Sequence, residues 1–60
     1  MKWNELRRLA LAHGFVFYKS LKGHDIYINT KTGKKIMLER HASQEVKAGL
    51  MYKLKKEIGL

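Results

Sequence analysis

The chain has 60 residues, no cysteine, and 13 Lys plus Arg against 5 Asp plus Glu, for a formal net charge of +8 and a pI near 10.1. That length makes a single domain, residues 1–60, which buries only about 60% of its unfolded surface and leaves little room for an enclosed substrate pocket. The missing thiols exclude disulfides and thiolate zinc sites. No apolar run approaches the roughly 18–20 residues of a membrane span and no signal peptide is visible, so a cytoplasmic protein is expected.

Trp3, Leu6, Leu9, Ala10 and His13 recur at helical spacing. They predict a first helix of about three turns, starting at Asn4 or at Lys2–Trp3 and closed by Gly14. Residues 15–19, rich in aromatic and β-branched side chains, read as a strand, and residues 20–23 as a turn. Residues 24–29 form the second strand. The polar run Asn29-Thr-Lys-Thr-Gly33 signals a hairpin, and residues 34–39 the third strand. Such short connections make an antiparallel meander. Residues 40–45 form a polar connection. Residues 47–58 place Leu50, Met51, Leu54 and Ile58 on one side and Lys53, Lys55, Lys56 and Glu57 elsewhere, an amphipathic helix that Gly59 can end. The expected fold class is α+β: an αβββα order, with a three-stranded antiparallel sheet and two helices on one face.

Strand alternation puts Phe15 and Phe17 on one face and Val16 and Tyr18 on the other, and one pair is expected in the core. Ile26, Ile28 and His24 share a face, with Tyr27 opposite. Asp25, adjacent to His24, should point away from it and into water.

The basic surface makes nucleic acid the leading partner class, although a lysine-rich surface also serves plain solubility. The lysines divide into two groups. Lys19 and Lys22 flank His24, while Lys47, Lys53, Lys55 and Lys56 belong to the last helix. On one side of the fold they would hold successive backbone turns of structured RNA, or one extended strand. Phe15, Phe17, Tyr18 and Tyr27 are able to stack bases, but a small core claims most of them.

Three histidines are present. His24 follows Gly23, which lets a phosphate come close, and two lysines are near. That setting suits a general acid or base in phosphodiester cleavage, and it equally suits an exposed strand-end residue with no task. His13 fits the negative end of the first helix. His41 follows Arg40 in the connection, placed to touch phosphate or cap the last helix. Their spacing matches no metal site, and no nucleophile triad or phosphate-binding glycine loop occurs, so neither metal nor cofactor is expected.

Several short motifs follow one another along the chain. They are His13-Gly14-Phe15, Gly23-His24-x-Ile26-Tyr27, Asn29-x-x-Thr32-Gly33, Arg40-His41, Glu45-Val46-Lys47-x-Gly49-Leu50 and Leu54-x-x-x-Ile58-Gly59-Leu60. In that order and spacing the chain resembles the HicA toxins of bacterial and archaeal toxin–antitoxin systems, small ribonucleases that cleave messenger RNA. The resemblance implies a fold similar to double-stranded-RNA-binding domains, His24 as the catalytic histidine, and an antitoxin of the HicB type that covers the active face. This sequence has Lys22-Gly23 where the family carries Gly-Ser or Gly-Thr before the histidine, so that hydroxyl is absent. The expectation is a metal-independent toxin endoribonuclease with Lys19, Lys22, Lys47, Lys53 and Lys56 holding RNA. The alternatives are a non-catalytic RNA-binding module and a domain whose basic face meets an acidic protein.

Overall fold

The computed structural model describes residues 1–41 and 43–60. Five elements follow in order: α1 (Trp3–Ala12), β1 (Phe15–Leu21), β2 (His24–Asn29), β3 (Lys35–Glu39) and α2 (Ala48–Ile58). The sheet order is β1-β2-β3 and both pairings are antiparallel, the αβββα arrangement expected from the sequence. Ala42, part of the expected polar connection, lies outside the described residues.

α1 begins earlier than Asn4, with Lys2 as N-cap. Lysine offers no acceptor there, but Glu5 Oε1 reaches back to accept from the Lys2 N–H at 3.3 Å, which neutralises one orphan donor of the first turn. Two main-chain hydrogen bonds tie this end of α1 to the segment before α2, Trp3 N–H to Gln44 O at 3.1 Å and Val46 N–H to Met1 O at 2.9 Å, and together they make an antiparallel bridge between Lys2 and Glu45. α2 starts at Ala48, one residue later than expected, and ends at Gly59, whose φ of 99° is the left-handed cap.

The core lies between one sheet face and the two helices. α1 contributes Trp3, Leu6 and Ala10, and α2 contributes Leu54 and Ile58. They close on Phe15, Tyr27, Ile36 and Leu38 of the sheet, with Val46 at the margin. Both helices therefore cover the same face. Leu50, expected on the apolar side of α2, is 41% exposed, and Met51 packs only at the core's edge. The expected aromatic pair also divides. Phe15 is buried, whereas Phe17 is 55% exposed, because β1 is an edge strand and the Phe17 ring hangs against the Tyr27 ring edge-on at 5.9 Å. No helix among the described residues is long and apolar enough to cross a membrane.

Two features of β1 set the geometry of the other sheet face. The strand runs to Leu21, so the turn to β2 is only Lys22-Gly23 rather than the four residues expected. Gly23 takes φ of 80° while Lys22 stays at negative φ, the combination that a type II turn requires. The register also shifts between Phe17 and Lys19, leaving Tyr18 as an extra bulged residue. The bulge reverses the alternation beyond it, which turns Lys19 to the open face and Ser20 toward the helices.

Candidate nucleic-acid interface and active site

The sheet face away from the helices carries three cross-strand rows. They are Val16–Ile28–Lys35, Lys19–Ile26–Met37 and Leu21–His24–Glu39. Successive rows lie about 7 Å apart, two residues along a strand. Val16, Tyr18, Leu21 and Met37 are all substantially exposed here, with Lys19 and Lys35 among them. Ile26 is the exception. It is buried, yet it lies outside the main core and lines a cleft on the open side with Tyr18 and Met37.

His24 stands at the end of this face, on the side with Ile26 and Ile28 as alternation predicts. Its Nδ1 lies 3.1 Å from Lys22 O across the tight turn, and its Nε2 lies 3.3 Å from Glu39 Oε1 on β3. Both neighbours are acceptors. With the hydrogen on Nδ1 donated to Lys22 O, the neutral ring keeps its lone pair on Nε2. A proton gained there is met by the Glu39 carboxylate. The side chains of His24 and Glu39 are 40% and 35% exposed, so both are open to a ligand.

Asp25 corrects an expectation. It does point away from His24, but not into water: its side chain is only 19% exposed. Asp25 Oδ1 accepts from Ser20 Oγ at 3.0 Å and from Arg40 Nε at 3.2 Å, and Arg7 Nη2 stands 3.9 Å from Oδ2. Arg40 Nη2 also donates to Ser20 Oγ and to Leu21 O, and Arg7 Nη2 donates to Glu39 O at 2.7 Å. One carboxylate and two guanidinium groups thus bind the ends of all three strands and α1 behind the histidine. Rigid support of this kind fixes where His24 and Glu39 sit.

The two lysine groups lie on different layers that meet along the β3 edge. Lys19 shares the open face with His24, and Lys22 touches the ring only through its main-chain carbonyl. The lysines of α2 belong to the opposite layer. Lys47 and Lys53 line two clefts along the β3 edge, the first shared with Glu39 and the second with Lys35. Lys56 stacks over Tyr52, 4.7 Å from its ring centroid. His13 caps the end of α1, where its carbonyl accepts from Asn29 Nδ2 at 3.4 Å, and the His41 carbonyl accepts from Gln44 N–H at 3.0 Å.

Sequence reasoning missed Glu39, Lys35, Arg7 and the role of Arg40. With strands at 24–29 and 34–39, counting outward from Asn29 and Lys34 places Glu39 opposite His24, so that signal was present in the sequence. Asp25 and Arg7 are 18 positions apart and no local pattern links them. Fold and site together define a small α+β domain with an open, basic, aromatic-bearing sheet face and a strand-end histidine. No protein-family model, curated protein or solved structure matches the chain.

Proposed function

We propose that the chain is a toxin endoribonuclease of the HicA type, which cuts messenger RNA in the cytoplasm without a metal and is silenced by an antitoxin of the HicB type. The observation that carries this reading is His24 on an exposed basic face, with Nδ1 held by Lys22 O and Nε2 turned toward Glu39. Nε2 takes the proton of a ribose 2′-hydroxyl. The 2′-oxygen attacks the adjacent phosphorus, and the bond to the 5′-oxygen breaks. The imidazolium returns the proton to that leaving oxygen, giving a 2′,3′-cyclic phosphate and a free 5′-hydroxyl. Lys19 and Lys22 offset the charge on the phosphorane, and Glu39 stabilises the ring while it is charged. Lys47, Lys53 and Lys56 hold RNA that extends beyond the open face onto the helical layer. An antitoxin seated on the same face would cover Val16, Leu21 and Met37, which are otherwise exposed.

A second reading, an RNA-binding module without turnover, is favoured by the carboxylate already placed on Nε2 and by the missing hydroxyl before His24. Induced expression in bacteria separates the two. Growth arrest with loss of messenger RNA, abolished by His24→Ala, is the expected result. Folded wild type that neither arrests growth nor degrades RNA leaves the binding module. Arrest that survives His24→Ala removes His24 from the chemistry.

A further inference from the structure

We infer that the Tyr18 bulge is a subsite for one unstacked nucleobase, which makes single-stranded RNA the substrate class of this face. The inference rests on the RNA-binding part of the function proposed above and not on cleavage. Tyr18 is the extra residue of β1 and is 49% exposed. It forms part of the wall of a shallow cleft of about 280 Å³, together with Lys19, Leu21, Ile26, Lys35, Ile36 and Met37. That volume is just below the roughly 300–1,000 Å³ of small-molecule pockets, a size for one planar base and not for a duplex.

The charges agree with that occupant. Lys19 Nζ and Lys35 Nζ stand 5.9 and 5.0 Å from the Tyr18 ring centroid, from β1 and from β3. Both pairs are exposed cation–π contacts, individually weak. A base stacking on the ring replaces them and frees two ammonium groups for the phosphates on either side of it. His24 belongs to the next row of the sheet, about 7 Å along β2, close to one nucleotide's reach from the stacked base. A duplex offers no free base face to this cleft, because its bases are already stacked and paired. The competing explanation is that Tyr18 only covers Ile26, so the test must separate stacking from cover.

The probes are a fluorescein-labelled hexanucleotide of single-stranded RNA and an RNA duplex with the same label, titrated by anisotropy against the full chain in a His24→Ala background. Leucine at position 18 still covers Ile26 but cannot stack. Tyr18→Leu is expected to weaken the hexanucleotide roughly 5- to 100-fold with duplex affinity unchanged, while Tyr18→Phe keeps both. Unchanged hexanucleotide affinity in Tyr18→Leu, or equal losses on both probes, overturns the subsite. The first outcome is also what a face built for a protein partner would give. Should Tyr18→Leu fail to fold, a hexanucleotide with 2-aminopurine at its centre reads stacking on the unsubstituted ring. Quenching on binding supports the subsite and unchanged emission overturns it. Loss of cleavage in His24→Ala is a separate result, so either claim can fail alone.

Discussion

Replacing Asp25 with alanine tests whether the strand ends are held by the buried side of the sheet. Three partners lose their common acceptor. The Arg40 pair is 48% exposed on the arginine side, so screening limits it to about 0.5 kcal/mol. The Ser20 hydroxyl loses a bond to a charged acceptor at an exposed site, worth about 0.5 kcal/mol. Arg7 matters most. Its side chain is 18% exposed, and without Asp25 its charge keeps, among the described residues, the Glu39 carbonyl and the Tyr27 ring, at a cost of about 1 kcal/mol. The sum is about 2 kcal/mol. A 60-residue domain has about 3–9 kcal/mol in total, so Tm should fall by roughly 8–16 °C. Thermal and urea unfolding followed by circular dichroism read this directly. The paired variants Asp25→Ala and Arg40→Ala should show a coupling of a few tenths of a kcal/mol or more when combined. A loss under about 0.5 kcal/mol would mean that the network adds nothing beyond solvated surface charge. The direction of Asp25 supplies a further check. It faces away from His24, and asparagine keeps an oxygen that accepts from Ser20 and Arg40, so RNA cleavage by folded Asp25→Asn should stay within about twofold of wild type.

Other perturbations probe the neighbouring parts. Glu39→Gln removes the carboxylate from Nε2, and for so exposed a pair cleavage should slow about two- to fivefold with KM little changed, read by steady-state kinetics. Leu38 is fully buried, and Leu38→Ala should cost about 2–5 kcal/mol in urea unfolding. Gly23→Ala meets no atom within 4 Å, so its cost is backbone strain alone, about 1–2 kcal/mol by the same assay. For a single-stranded hexanucleotide, Lys19→Ala should reduce the salt slope of log affinity by about 0.7, whereas Lys56→Ala should reduce it only for a longer strand that extends onto the helical layer.

The elements that were legible in the sequence are those set by local chemistry. Trp3, Leu6 and Ala10 give α1 its buried stripe, and Leu54 with Ile58 does the same for α2. Asn29 announced the hairpin because its Oδ1 accepts from the Lys31 and Thr32 N–H groups inside the turn. Alternation placed His24 and Asp25 on opposite faces correctly. It failed past Phe17, because a bulge has no signature in a run such as Phe15-Val-Phe-Tyr-Lys-Ser-Leu21. Plain alternation there puts Lys19 with Phe15 and Phe17, whereas the register pairs it with Ile26. The turn was read too long for a related reason. Ser20 and Leu21 look like loop residues, yet each is paired across β2, with Asp25 and with His24. The Asp25 network was hidden because Arg7 and Arg40 come to it from distant elements, so only the tertiary fold brings them together.

Cleavage through the 2′-hydroxyl is tested with purified chain and two oligonucleotides that differ only by a 2′-deoxy substitution at the cleaved nucleotide. Wild type should cut the all-ribose strand to a 2′,3′-cyclic phosphate and a 5′-hydroxyl end, and should leave the 2′-deoxy strand intact. His24→Ala should bind both and cut neither. Equal cutting of the two strands, or cutting that persists in His24→Ala, would contradict the account.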